Sequence, residues 1–174
     1  EPYYQLARYY RRAAAPAEER KALDKAVRAF AAEPAHAAKR SAMYIDSLIW
    51  RGRFLLEEGE WLSAELDYSA AAAEYERGVE LRRLKRGARF GEAYAGLAEV
   101  AFWQRDDLDV ALGYYERAAK NGYATPTTRY RMGNILYRTR RYADSLEQFF
   151  ESMKGEKARP YAHFAFGCAR SQRG

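Results

Sequence analysis

The chain has 174 residues, of which 48% are apolar and 31% are charged, and this composition excludes an intrinsically disordered protein. Its single cysteine, Cys168, excludes an internal disulfide framework, and no apolar run approaches the roughly 20 residues of a membrane-spanning helix. The net charge of +6 is spread over the whole chain, which indicates a solvated surface. The length suits one ordinary domain with a substantial core.

Apolar residues recur at helical spacing throughout the chain, and no segment shows the alternation of a strand. In chain order the periodicity predicts nine helices, over residues 3–13, 17–32, 40–58, 60–86, 89–105, 107–121, 127–139, 141–153 and 158–172. Pro16 and Pro126 stand at predicted helix starts, and Gly59, Gly87 and Gly122 stand at predicted ends. The fourth helix is unusually long, and we expect its tail, "LRRLKRG", to project beyond the helix it packs on.

Small and aromatic residues recur along these helices in a fixed order. The order is clearest in "YRMGNILYRTRRYADSLEQFF", residues 130–150. The small residues at equivalent places are Ala7, Gly52, Ala98, Gly133 and Gly167, which lie 45, 46, 35 and 34 residues apart. Small side chains let two antiparallel helices approach closely, and we expect Gly52, Ala64, Ala111 and Gly133 to act as such notches. Aromatic residues, namely Tyr68, Tyr115 and Phe149, would then fill the space between neighbouring helix pairs.

This order resembles the tetratricopeptide repeat, whose signature places a Leu-Gly pair before a tyrosine, then Ala-x3-Phe, then proline. The resemblance covers nearly the whole chain and implies an all-α fold, a right-handed α-solenoid of antiparallel helix pairs. The array would comprise a degenerate repeat at 1–34, a long repeat at 40–86, repeats at 89–124 and 126–156, and a capping or truncated helix at 158–174. Some positions depart from the pattern: Arg51 and Arg170 fall where an apolar residue is usual, and Ser145 and Ser152 replace alanine. In addition, Asp106-Asp107 adds one residue to the third turn.

No motif of the sequence predicts catalysis. The chain lacks a phosphate-binding glycine loop, a Gly-x-Ser-x-Gly elbow and a His-Glu-x-x-His helix. Cys168, His36 and His163 are too few and too poorly spaced for a structural zinc site. We therefore expect no enzyme, no metal and no cofactor.

The resemblance implies that the first helix of each pair lines a concave groove. Because residues four and seven apart share a helical face, the partner-binding residues are expected to be Tyr4, Arg8, Arg11, Ile49, Arg53, Leu56, Glu99, Phe102, Trp103, Tyr130, Asn134, Tyr137, Arg138 and Phe164. The groove would have an arginine-rich N-terminal end and an aromatic C-terminal half. It would suit a protein or peptide that is acidic and has apolar anchors. The family's carboxylate clamp is incomplete, since Tyr130 stands where its lysine would be.

The predicted function is a non-enzymatic scaffold that binds a peptide or partner protein, and arrays of this kind often serve bacterial envelope assemblies. One alternative is nucleic-acid binding through "LRRLKRGAR", with phosphate contacts from Arg82, Arg83, Lys85, Arg86 and Arg89. Another is a structural, self-associating segment of a longer solenoid. The chain begins without an initiator methionine, so we expect a fragment. Its composition fits the cytoplasm or the bacterial periplasm, without insertion into a membrane.

Overall fold

Nine α-helices and no strand form the part of the chain that the structure, a computed structural model, describes: residues 2–32, 38–82, 84–85, 87–154 and 160–173. The helices are α1 (Pro2–Arg12), α2 (Pro16–Ala32), α3 (Ala38–Glu57), α4 (Trp61–Glu80), α5 (Ala88–Gln104), α6 (Leu108–Lys120), α7 (Pro126–Arg138), α8 (Tyr142–Ser152) and α9 (Pro160–Arg173). None of the described helices combines the length and the apolar character that crossing a bilayer requires.

The helices pack as pairs that follow one another in chain order. The most extensive contacts join α1 to α2, α3 to α4, α5 to α6 and α7 to α8. The second helix of each pair also packs on the first helix of the next, and α3 touches α5 as α7 touches α9. In the described residues the extensive contacts of each pair are therefore with its neighbours, as expected of a solenoid. The prediction of an all-α solenoid is confirmed.

The helix bounds agree with the sequence prediction to within two residues, with one exception, although the predicted start at 158 lies outside the described residues. The fourth helix was expected to reach residue 86, but α4 ends at Glu80. Arg82 adopts a positive φ of 54°, and the backbone N–H of Leu84 donates to the carbonyl of Gly78 at 2.9 Å. The Leu84 side chain then lies directly over Gly78, which has no side chain to obstruct it. The expectation of a projecting tail is wrong, because the chain folds back on the end of the helix.

Glycines allow aromatic rings to pack between the pairs. A Cβ at Gly52 would lie 3.1 Å from the ring of Tyr68, and one at Gly96 would lie 2.4 Å from the same ring. Tyr68, which is 2% exposed, is therefore held between α3 and α5. Gly133 leaves the equivalent space for Phe149, whereas a Cβ at Gly167 would approach no side chain or neighbouring helix within 4 Å in the part of the chain that is described. Gly52 and Gly133 are notches as expected, Gly96 is an additional one, and Gly167 is not a notch.

Arg51, an exception to the repeat pattern, joins three helices through ion pairs. Its Nε and Nη2 donate to the two carboxylate oxygens of Asp67 on α4, both at 2.7 Å, and its Nη1 donates to Asp24 of α2 at 3.0 Å. The Asp67 side chain is only 7% exposed. Arginine occupies this apolar position because two carboxylates from neighbouring helices meet there.

The turn that ends the first helix of each pair contains a residue in the left-handed region: Ala14, Gly59, Asp106 or Arg140. This conformation raises the energy of a residue with a side chain by roughly 1–2 kcal/mol, whereas glycine adopts it without steric strain.

We therefore expect Arg140→Gly, at an exposed position with φ of 62°, to raise the free energy of unfolding by about 1 kcal/mol. Urea denaturation followed by circular dichroism measures this change. An unchanged or lowered unfolding midpoint would show that the turn is not strained.

Candidate functional site

A surface pocket of about 550 Å³ opens between α5 and α7. Its lining residues are Phe102, Trp103, Asp106, Tyr130, Arg131, Asn134 and Arg138. On α7, positions 130, 134 and 138 are four residues apart and share one helical face. On α5, positions 102 and 103 belong to the last turn. Five of these seven residues were predicted from the sequence to line the groove, and the structure brings them together.

Aromatic rings form the apolar wall of the pocket. Phe102 is 8% exposed, and Trp103 stands against it with ring centroids 4.9 Å apart and an interplanar angle of 90°. The Trp103 side chain is 54% exposed, which is unusual for so large an apolar group. Across the pocket, Tyr130 is half-buried and packs on Phe149 at 5.8 Å. Trp103 therefore offers a large area for contact with another molecule.

Two guanidinium groups from α7 lie over these rings. The Arg131 Cζ is 4.7 Å from the Trp103 ring centroid, and the Arg138 Cζ is 5.8 Å from that of Phe102. Both distances fit cation–π contacts. Arg138 also donates to Asp106 at 2.8 Å, but the two side chains are 44% and 70% exposed. Such an exposed pair contributes little stability, so an anionic ligand could replace Asp106 at low cost.

Glu99 holds the pocket wall in place from α5. Its Oε1 accepts a hydrogen bond from the Tyr115 hydroxyl at 2.7 Å, and its Oε2 accepts one from the Trp103 Nε1 at 2.9 Å. The Nε of Arg131 lies 3.4 Å from the same carboxylate. Burial raises the pKa of the Tyr115 hydroxyl above its ordinary value, so this group stays protonated and donates at neutral pH. Glu99 thus orients Trp103 and does not line the pocket.

The arginines at the N-terminal end are engaged within the chain. Arg11 Nε lies 3.3 Å from a carboxylate oxygen of Glu19, and its guanidinium also contacts Glu57. Arg53 Nε donates to Glu92 of α5 at 3.0 Å. Both arginines therefore already bridge helices, and an acidic partner would have to displace a carboxylate of this chain to bind them; their role in binding stays a prediction.

Other predicted groove residues have varied positions. Ile49 is 2% exposed and packs in the core, so it is not available at the surface. Leu56 is half-buried and Arg8 is exposed. Tyr137 packs edge-on against Tyr142 of α8 at 5.5 Å and does not line the pocket. Phe164 on α9 is 76% exposed, and the side chain of Tyr4 lies outside the described residues.

The sequence did not reveal two lining residues, Asp106 and Arg131. Asp106 lies in the α5–α6 turn with a positive φ of 50°, and its contact with Arg138 of α7 forms only when the turn is folded. Arg131 directly follows a predicted groove residue, so a shift of one position in the assumed helical face would have included it.

The alternative sites from the sequence fall largely outside the described residues. Of the basic segment, Arg82 and Lys85 are exposed, while Arg83, Arg86 and the side chain of Arg89 lie outside the described part, as does His36. Among the side chains that the structure describes, no three of His, Cys, Asp or Glu are grouped to hold a metal ion.

Comparisons with known proteins point to the fold. No protein-family model and no curated protein matches the sequence. The chain is similar to two crystal structures of MamA, with TM-scores of 0.69 and 0.68 at 16% and 15% identity. The alignments cover 99% and 97% of this chain and 81% and 85% of those chains. It is also similar to a tetratricopeptide repeat protein from Parabacteroides merdae, with a TM-score of 0.69 at 14% identity over 99% of this chain and 60% of that one.

The sequence resemblance and the solved structures agree: the chain has the α-solenoid fold of the tetratricopeptide repeat proteins.

Proposed function

We propose that this chain is a non-enzymatic scaffold that binds a segment of a partner protein in the pocket between α5 and α7. The observation that carries the proposal is the exposed Trp103, which stands over a buried Phe102 beside two guanidinium groups. A large aromatic residue in the wall of a pocket, with arginines beside it, has the composition of an interaction hot spot.

The chemistry of the lining defines the partner segment. An apolar side chain would pack against Trp103 and Phe102, and a carboxylate would pair with Arg138 in place of Asp106. The Asn134 amide supplies both a donor and an acceptor for the peptide backbone. The preferred segment is therefore acidic, with at least one large apolar residue near the acidic group.

The partner segment would extend toward α9. Phe164 lies on that helix with 76% of its side chain exposed, and α7 and α9 are in contact. A second apolar residue of the segment would pack there. This extension is separable from the pocket, because Phe164 does not line it.

Selection of peptides from a displayed random library, followed by fluorescence polarisation with the enriched sequences, tests the proposal. We expect the selected peptides to combine acidic and large apolar residues. Trp103→Ala should weaken their binding by about 30-fold or more, the loss typical of a hot-spot residue, while far-UV circular dichroism stays unchanged. Phe150→Ala, at a 51% exposed aromatic on α8, is the matched control and should bind like wild type.

A charge reversal tests the acidic preference separately. Arg138→Glu should shift the selection toward basic peptides and weaken the acidic ones, since the exposed Arg138 guanidinium is expected to contact the ligand directly. If the selected peptides bind the Trp103→Ala and Phe150→Ala variants with equal affinity, they do not bind in the pocket.

A further inference from the structure

Helix α4 has uncharged stripes on two opposite sides. One stripe, containing Ala64, Tyr68, Ala71 and Tyr75, is buried in the core. The second, which we call the outer stripe, consists of Leu62, Leu66, Ser69 and Ala73. Its leucines are 70% and 72% exposed. The outer stripe advances in steps of four, three and four residues, which is the spacing of a helix that pairs lengthwise with another helix.

A second pocket, of about 230 Å³, lies beside the C-terminal half of the outer stripe. It is lined by Ser69, Ala72, Ala73, Glu76, Tyr94, Leu97, Tyr114 and Arg117, so it lies between α4 and α6 with α5 beneath. Alanines at 72 and 73 leave this space open. The outer stripe therefore has large side chains in its N-terminal half and a hollow in its C-terminal half.

We propose that the outer stripe pairs with the outer stripe of a second copy of this chain, with the two α4 helices antiparallel. In that arrangement Leu62 of each copy faces Ala73 and the pocket of the other, and Leu66 faces Ser69. Large residues thus meet small ones along the whole contact. A two-fold symmetric interface requires this kind of self-complementarity, because the same surface serves both copies.

The charges at the two ends of the stripe fit the same arrangement. Antiparallel pairing also brings the turn before α4 in one copy close to the last turn of α4 in the other. Glu58 is exposed just before α4, and Arg77 is exposed in its last turn, where it contacts Glu74 of its own chain. Each interface would therefore bring a glutamate of one copy to an arginine of the other, twice. A parallel arrangement would place like charges together.

Sedimentation velocity over a concentration series from about 1 to about 200 µM tests the pairing. We expect a concentration-dependent dimer for wild type and a monomer for Leu66→Glu. Leu66 is exposed in the single chain and would be buried only in the dimer, so the variant would bury an unpaired charge on dimerisation. Phe164→Glu, at the 76% exposed groove residue, is the matched control and should dimerise like wild type. A monomer at all concentrations, or a dimer that survives Leu66→Glu, would overturn the proposal.

Charge exchange tests the antiparallel register. Glu58→Arg and Arg77→Glu should each raise the dimer dissociation constant by about two- to fivefold, the effect of an exposed ion pair counted at two symmetric places. The double variant should return to the wild-type value. If the dissociation constant of the double variant does not return to the wild-type value, this antiparallel arrangement is excluded. Peptide binding by Leu66→Glu should be unchanged, since α4 does not line the larger pocket.

Discussion

Replacing Asp67 with alanine is expected to lower the free energy of unfolding by about 3 kcal/mol, a loss typical of a broken buried ion pair. Asp67 accepts two hydrogen bonds from Arg51 at 2.7 Å, and its own side chain is 7% exposed. The substitution leaves the Arg51 guanidinium, 22% exposed, with only the more exposed Asp24 as a described partner on the neighbouring helix. Chemical denaturation monitored by circular dichroism measures the loss.

Two further variants separate the ion pair from other effects of the substitution. Asp144→Ala removes an exposed carboxylate that pairs with Arg141 at 2.8 Å, and it should change stability by less than about 0.5 kcal/mol. The double variant Arg51→Met with Asp67→Leu should recover most of the stability, because it leaves no unpaired buried charge. A loss below about 1 kcal/mol for Asp67→Ala would mean that Arg51 finds water instead.

Alanine substitutions at Gly133 and Gly167 are expected to change stability in opposite directions. The two glycines stand 34 residues apart at equivalent places of successive repeats. A Cβ at Gly133 would lie 2.6 Å from the ring of Phe149, which is 1% exposed, so the ring must move within a packed core. We expect a loss of about 2 kcal/mol there, in the range of overpacking mutations.

At Gly167 the new methyl group meets no described atom within 4 Å apart from its chain neighbours and the backbone of its own helix. Alanine should therefore raise the free energy of unfolding by about 0.5–1 kcal/mol, since it lowers the backbone entropy of the unfolded chain. Thermal and urea denaturation of both variants measure the pair of changes. A loss at Gly167 comparable to that at Gly133 would show that repeat position, not the contact with Phe149, sets the cost.

Much of the fold follows from the sequence because each helix is specified locally. Helical periodicity, with prolines at starts and glycines at ends, placed the described helices to within two residues, apart from the end of α4. That end depends on the contact of Leu84 with Gly78, which competes with continued helix formation. The role of Gly96 was not predicted for a related reason: it depends on contact with Tyr68, which lies 28 residues earlier in the chain.

The candidate site was predictable in part. A four-residue step along α7 places Tyr130, Asn134 and Arg138 together whatever the neighbours are. The ion-pair partners of charged residues were not predictable in this way, because Arg11 pairs with Glu57 and Arg53 pairs with Glu92, each far away in the sequence. Which arginines are neutralised within the chain, and which line a pocket, depends on the stacking of the pairs. Sequence periodicity does not contain that information.

The indole N–H resonances of the three tryptophans, observed during titration with a selected acidic peptide, test the central claim most directly. Trp103→Ala assigns one of them, and Trp61 at the start of α4 provides an internal reference. We expect the chemical shift of the Trp103 indole N–H to change along a saturating curve that matches the peptide's dissociation constant. The chemical shift of the Trp61 indole N–H should not change. Saturable binding that leaves the Trp103 resonance unmoved would contradict it.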